Sequence, residues 1–172
     1  MGYYAAAEKI VKAIQELLVP ISQTVYPYIS KLVSESKERA LNFIRRLVKI
    51  VGSISFIISL SIFIFANLIV NIILGPQYQQ SIIVLRILAF LPFIIGLATV
   101  YATLFLLGFG YVKDWSKIII SCSLLNVVLI LIFVGVFSLA HIGVSISMVL
   151  TEICVLVLSY LSYKRRNLHA NR

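Results

Sequence analysis

The sequence EKIVKAIQELLVPISQTVYPYIS, residues Glu8 to Ser30, is long enough for a membrane-spanning helix but is polar along one side. At about 100° per residue, its polar residues fall within an arc of about 140°. They are Glu8, Lys9, Lys12, Gln15, Glu16, Ser22, Gln23, Tyr26 and Ser30. A helix of about 23 residues is about 34 Å long and crosses the hydrocarbon core. Because an ionised side chain there costs at least about 2.5 kcal/mol unless it meets water or a partner, we expect this helix to line an aqueous path.

Two prolines in the same stretch, Pro20 and Pro27, each remove a backbone donor and loosen the predicted helix, as in the discontinuous helices of transporters. An alternative interpretation is an amphipathic helix that lies flat at the cytoplasmic interface. Such helices usually carry mainly Lys and Arg on their polar face. The mixture of acidic and basic residues found here therefore favours the spanning helix.

The composition of the 172-residue chain is that of an integral membrane protein. It is 61% hydrophobic and 12% charged, with a mean hydropathy of +1.06, whereas about a quarter of the residues in soluble proteins are charged. The net charge of +9 does not indicate nucleic-acid binding, because the basic residues lie between and after apolar runs, as in the positive-inside pattern. Cys122 and Cys154 lie inside apolar runs and are interpreted as packing residues.

The hydropathy pattern predicts an all-α, polytopic membrane helix bundle of about five spanning helices in one domain, residues 1–172. A basic loop at 31–49, interpreted as a solvated helical face near the lipid headgroups, and a basic tail at 164–172 are assigned to the cytoplasmic side, so the C-terminus is expected there. A chain that starts outside, with a polar-faced helix at its edge, is expected to be part of a larger transporter. The expected spans are about 5–30, 50–74, 81–107, 118–139 and 144–163.

One carboxylate lies deep inside a predicted span. Glu152 is the only ionised side chain between Lys117 and Lys164, and it sits about 13 Å into its helix. An intramembrane carboxylate is a functional candidate, so Glu152 is our candidate site for a coupling proton or cation. The alternative is a hydrogen-bonded glutamate that locks helix packing.

Two basic residues are candidates for the wall of the predicted cavity. Arg86 either faces inward, where its fork of donors suits a phosphate, or extends to the lipid headgroups. Lys12 either attracts a phosphate or forms an ion pair with Glu8 or Glu16, each four residues away. Together with Lys12 and Arg86, the expected substrate-cavity residues are Gln15, Glu16 and Gln23.

No pattern in the sequence supports catalysis. The phosphate loop GxxxxGK[ST] and the zinc motif HExxH are absent, and the two histidines, His141 and His169, fall in a turn and in the tail. No serine or cysteine has a plausible base beside it. We therefore expect neither an enzyme nor a metal site nor a cofactor.

Several motifs together resemble the C-terminal half of the Wzx-type flippases of the multidrug/oligosaccharidyl-lipid/polysaccharide exporter superfamily. These are GYYAAAEKI at 2–10, the Tyr26-Pro27 step, LGPQYQQSIIVLRIL at 74–88, and the spacing of Gly108, Lys113 and Asn126. The resemblance implies a two-lobed transporter in the bacterial inner membrane that moves undecaprenyl-pyrophosphate-linked oligosaccharides by alternating access, without hydrolysing ATP itself. It implies as partners the lipid-linked oligosaccharide, membrane lipids, an N-terminal lobe and the polysaccharide polymerase machinery. The chain departs from the pattern by beginning at the outer end of what would be the second helix of the C-terminal lobe.

Two other functions remain open at this point. A drug or cation exporter of the same superfamily would favour an acidic cavity, and the basic residues Lys12 and Arg86 argue against it. A membrane scaffold subunit for glycan synthesis would place the polar helix face against protein rather than water.

Overall fold

The computed structural model describes residues 2–16, 19–136 and 140–170, and this part of the chain is helical without a strand. It confirms the predicted all-α membrane helix bundle. A 3-10 turn at Pro76–Tyr78 joins the third and fourth helices, and π-helical segments at Thr99–Leu107 and Leu131–Val136 extend the fifth and sixth. The helices are α1 Gly2–Glu16, α2 Val19–Glu35, α3 Lys37–Ile73, α4 Ser81–Leu88, α5 Leu91–Ala98, α6 Val112–Ile130 and α7 Ala140–Ala170.

Within the described residues, four helical stretches are long and apolar enough to cross a membrane, at 37–73, 81–107, 112–135 and 142–167. The second has the bounds expected from the sequence, although it consists of α4 and α5 with a break between them. The predicted helix 5–30 corresponds to α1 and α2, on either side of residues 17 and 18, which lie outside the described residues. Residues 137–139 and 171–172, at the ends of the predicted segments 118–139 and 164–172, also lie outside them.

The predicted basic loop at 31–49 is helical apart from Ser36. Residues 31–35 belong to α2, and α3 begins at Lys37 immediately after Ser36, whose hydroxyl accepts a hydrogen bond from the Arg39 backbone N–H at 3.4 Å. Lys, Arg and Glu are good helix formers, so a charged segment beside a span can continue its helix beyond the bilayer. For the same reason α7 continues through most of the predicted tail, to Ala170.

Small residues hold α3 and α5 close together. Gly52, Ser55 and Ser59 are buried on one face of α3, and such residues let membrane helices approach closely. The backbone N–H of Phe93 donates to the Ser59 hydroxyl at 3.0 Å, next to the break that Pro92 makes in the helical hydrogen bonds. The crossing therefore fixes the position of α5 and its π-helical extension.

The N-terminal helix packs on α4 through its apolar side. Ala7 and Val11 of α1 are buried in one core with Val84, Leu85 and Leu88 of α4. The Tyr4 hydroxyl also donates to the Met148 sulfur of α7 at 3.5 Å. With this side of α1 fixed against the bundle, its polar side faces away from α4.

A polar contact joins α6 to α7 inside the membrane. The Asn126 amide donates to the Thr151 hydroxyl at 2.8 Å, and that hydroxyl donates to the Ser147 carbonyl at 2.8 Å. At the basic end of the bundle, the Arg166 guanidinium donates to Asp114 at 2.7 and 3.1 Å. These contacts fix α7 against α6 at two depths.

Candidate functional site

A cavity of about 340 Å³ lies between α1, α2, α3 and the α5 segment with its π-helical extension. This volume is at the lower end of the range for small-molecule sites. Among the described lining residues, Gly96 contributes its backbone and five are apolar, namely Val51, Ile54, Ile95, Val100 and Leu104. The polar lining residues are Lys12, Gln15, Glu16, Ser22, Ser55 and Thr99.

The local fold explains how these residues come together. The polar side of α1 is free to face the cavity because the opposite side is buried against α4. On the far wall, the chain changes from α-helix to π-helix at Thr99, and Thr99, Val100 and Leu104 line the cavity. Inserted π turns occur frequently at functional sites because they redirect side chains locally.

The charge of Lys12 is matched by a neighbour. Its ammonium group lies 2.8 Å from the Glu8 carboxylate one turn earlier, which is the ion pair that the sequence left as one of two possibilities. Glu16 is exposed and has no ion pair with any other described residue. This wall therefore does not present an uncompensated positive charge to a phosphate.

Two buried polar atoms of the cavity wall have no hydrogen-bond partner. Across the described residues, four buried side-chain atoms lack one, and two of them, Gln15 Nε2 and Ser55 Oγ, belong to lining residues. An unsatisfied buried group costs about 1–3 kcal/mol, and lipid supplies no substitute. These two atoms are therefore the positions in the wall where a polar ligand or a water molecule gains most.

The absence of a side chain at Gly96 makes room for the buried Ser55 hydroxyl between α3 and α5. A Cβ built on Gly96 would collide with Ser55 Oγ and would lie 3.1 Å from Ser55 Cβ. Both residues line the cavity. Glycine at this position thus allows the close α3–α5 crossing and leaves space for the buried hydroxyl.

The structure separates two predicted cavity residues from the other three. Gln23 is exposed on α2 and does not line the cavity, because α2 buries its other side through Ile29. Arg86 is exposed with its guanidinium 5.9 Å from the centre of the Phe63 ring, since the buried side of α4 is taken up by its packing on α1. Neither residue therefore lines this cavity, whereas Lys12, Gln15 and Glu16 do, and the assignment of all five to a substrate cavity stays a prediction.

Glu152 lies half-buried on α7, outside the cavity wall. It forms no hydrogen bond or ion pair with the residues that the structure describes. Its role in coupling stays a prediction.

The sequence analysis did not assign Ser22, Ser55 or Thr99 to the cavity. The signal for Ser55 is its spacing from Gly52 and Ser59, which places the three small residues on one helix face. That pattern predicts a helix crossing, but only the structure shows that a cavity opens beside it.

The part of the chain that carries most of the polar wall also matches a known family. Residues 1–83 match the family described as "Polysaccharide biosynthesis protein". The chain is 34% identical over 167 residues, 97% of its length, to a protein of Escherichia coli (strain K12) named "Putative O-antigen transporter". Its N-terminal part is thus similar to polysaccharide biosynthesis proteins. A protein of the same name from Shigella dysenteriae is 29% identical over 154 residues, 90% of the chain.

These similarities support the resemblance to polysaccharide transporters that the sequence indicated. The chain spans 40% of the length of the Escherichia coli protein and 38% of the length of the Shigella dysenteriae protein. Both are named as transporters, not as enzymes. No solved structure matches the chain.

Proposed function

We propose that the chain takes part in polysaccharide transport, as a portion of a flippase that moves undecaprenyl-pyrophosphate-linked oligosaccharide repeat units across the bacterial inner membrane. The observation that carries the proposal is the cavity, in which a helix with a charged and amide-bearing face lies opposite a π-helical wall among spanning helices. The names of the relatives support polysaccharide transport over drug or cation export.

The cavity suits a substrate that is polar at one end and attached to lipid. Its polar residues come from α1, α2, α3 and position 99, while large apolar side chains on the outer faces of α3 and α6 are exposed for contact with lipid. A glycan passing through the cavity would exchange water for Lys12, Gln15 and Glu16, while its lipid anchor stays in the bilayer. The polar face lowers the cost of moving hydroxyl groups through hydrocarbon.

The helix breaks beside the cavity provide places for a change of shape. The α4–α5 junction precedes Pro92, and the π-helical segment starts at Thr99. Kinks of these kinds are positions at which transporter helices bend. Alternating access would use these joints, with an N-terminal lobe closing the open side and the polymerase machinery receiving the repeat unit at the periplasmic side.

A block of the cavity tests the proposal in the host bacterium. Thr99→Trp, introduced in the chromosome, fills the cavity from its π-helical wall, and Leu124→Trp adds the same bulk at an α6 side chain that is 68% exposed. The measurements are surface polysaccharide, lipid-linked repeat units in the inner membrane, and protein abundance.

We expect Thr99→Trp to reduce surface polysaccharide at least severalfold and to raise the amount of lipid-linked repeat units, while Leu124→Trp leaves both unchanged. Normal surface polysaccharide with Thr99→Trp at normal protein abundance would contradict the transport function. A scaffold role would be indicated instead if both variants lowered polysaccharide only by disrupting complexes with the synthesis enzymes.

A further inference from the structure

The two unpartnered atoms in the cavity point to a particular chemistry of ligand. Gln15 Nε2 donates hydrogen bonds, and Ser55 Oγ both donates and accepts them. They come from α1 and α3 and lie in the wall of one cavity. A ligand that satisfies both must carry more than one polar group, arranged to reach two helices.

The charges around the cavity do not suit an anion as that ligand. The ammonium group of Lys12 is held by Glu8 at 2.8 Å, and Glu16 adds a carboxylate to the same wall. Arg86 lies against Phe63, outside the lining. A phosphate at Gln15 and Ser55 would therefore meet no free cation among the described lining residues.

The remaining wall is apolar. Ile95, Val100 and Leu104 lie along the α5 segment and its π-helical extension, beside Gly96. A sugar ring combines a C–H face, which fits aliphatic side chains, with hydroxyl groups at its edge, which fit amide and hydroxyl partners. An uncharged sugar matches all three features, which are the two unpartnered polar atoms, the apolar wall and the compensated lysine.

We propose that Gln15 and Ser55 form a subsite for the hydroxyl groups of an uncharged sugar ring, whose apolar face packs on Ile95, Val100 and Leu104. This inference rests on the proposed transport function and assigns this cavity to the glycan part of the substrate, not to its pyrophosphate. The pyrophosphate is then bound outside this wall. Gly96 is part of the subsite because a side chain there would occupy the space that the Ser55 hydroxyl fills.

Protection of a cavity cysteine measures occupancy of the subsite. The full chain carries Thr99→Cys in a background with Cys122→Ala and Cys154→Ala, and is placed in lipid nanodiscs. The rate of labelling by a water-soluble maleimide is measured with dodecyl maltoside, an uncharged sugar on an alkyl tail, and with dodecyl phosphate, an anion on the same tail.

We expect dodecyl maltoside to slow labelling and dodecyl phosphate to have little effect. Gln15→Met and Ser55→Ala should each raise the maltoside concentration needed for half-protection by roughly threefold to tenfold, as expected for the loss of one hydrogen bond. Two matched variants serve as controls. Ser53 lies two residues before Ser55 on the exposed side of α3, and Gln80 lies in an exposed turn. Neither Ser53→Ala nor Gln80→Met should therefore change protection.

Three results would overturn the subsite. The first is that dodecyl maltoside gives no protection, as expected for a cavity that holds water only. The second is that both amphiphiles protect equally. The third is that Gln15→Met and Ser55→Ala leave protection by dodecyl maltoside unchanged. Surface polysaccharide in the host separates this failure from failure of the transport function. If Thr99→Trp abolishes export while Gln15→Met and Ser55→Ala leave cysteine protection unchanged, the transport function is retained and the subsite is wrong.

Discussion

A single methyl group at position 96 tests the crossing that builds the cavity. In Gly96→Ala the new Cβ collides with Ser55 Oγ and lies 3.1 Å from Ser55 Cβ and 3.4 Å from Val51 Cγ1. The serine hydroxyl can rotate away, but the Cβ atoms are fixed to two helix backbones. The substitution therefore forces α3 and α5 apart by a few tenths of an ångström.

The expected change in the free energy of unfolding follows from two opposing effects. Overpacking a tight contact costs about 1–3 kcal/mol, and replacing glycine by alanine within a helix returns about 0.5–1 kcal/mol. We therefore expect Gly96→Ala to destabilise the protein by about 1–2 kcal/mol. Gly135 has no atom within 4 Å of its built Cβ, so Gly135→Ala should be neutral or slightly stabilising.

A second substitution isolates the contact. Ser55→Ala removes the colliding hydroxyl, so Gly96→Ala should cost less in a Ser55→Ala background than in the wild type. Neighbouring residues that clash in this way couple by about 0.5–3 kcal/mol. A coupling energy near zero would show that the two residues do not meet as described.

The burial of Cys122 supplies the assay. Its side chain is 1% exposed, so with Cys154→Ala in the background its thiol reacts with maleimide only after α6 and α7 separate. Labelling is followed across an SDS titration in mixed micelles for each variant. If Gly96→Ala unfolds at the same SDS fraction as Gly135→Ala, the close α3–α5 contact is not present and our explanation of the cavity fails with it.

The other predictions concern the remaining polar groups and the topology. Asn126→Leu should weaken α6–α7 packing by about 0.6–1.7 kcal/mol in the same titration, and no change would mean that its bond to α7 is absent. Asp114→Asn should cost at most about 1 kcal/mol and less at high salt, because the ion pair is exposed; a larger, salt-independent loss would contradict this. A topology reporter fused after Gln77 should be outside and one after Lys113 inside, and a cytoplasmic signal at Gln77 would overturn the assignment of the following helices. Glu152→Gln should impair ion coupling of transport at unchanged protein abundance, and normal coupling would leave Glu152 a structural residue.

The apolar spans could be read from the sequence because hydropathy depends on composition alone. The stretch 81–107 has its expected bounds for this reason. Helix ends outside the membrane do not follow from hydropathy, so the sequence indicated a helical face at 31–49 but not that the helix crossing the membrane begins at Lys37. The break inside 81–107 depends on the packing of Phe93 against Ser59 as well as on Pro92.

The candidate site was predictable only where its residues are neighbours on one helix. Periodicity places Lys12, Gln15 and Glu16 on one face of α1, and the structure brings these three to the cavity. The contribution of Ser55 depends on how α3 crosses α5. No local pattern contains that crossing, and for the same reason the sequence left both positions of Arg86 open.

The position of Glu152 shows how local bonding decides which polar groups remain for function. The Asn126 amide donates a hydrogen bond to the hydroxyl of Thr151, the residue before Glu152, and that hydroxyl donates to the Ser147 carbonyl. Neither group donates to Glu152. No other described residue forms a hydrogen bond or an ion pair with it. A carboxylate inside a membrane is stable when it is protonated or when it meets a cation. No cation of the described residues forms an ion pair with Glu152, so we expect it to take up a proton or a cation, and its role in coupling stays a prediction.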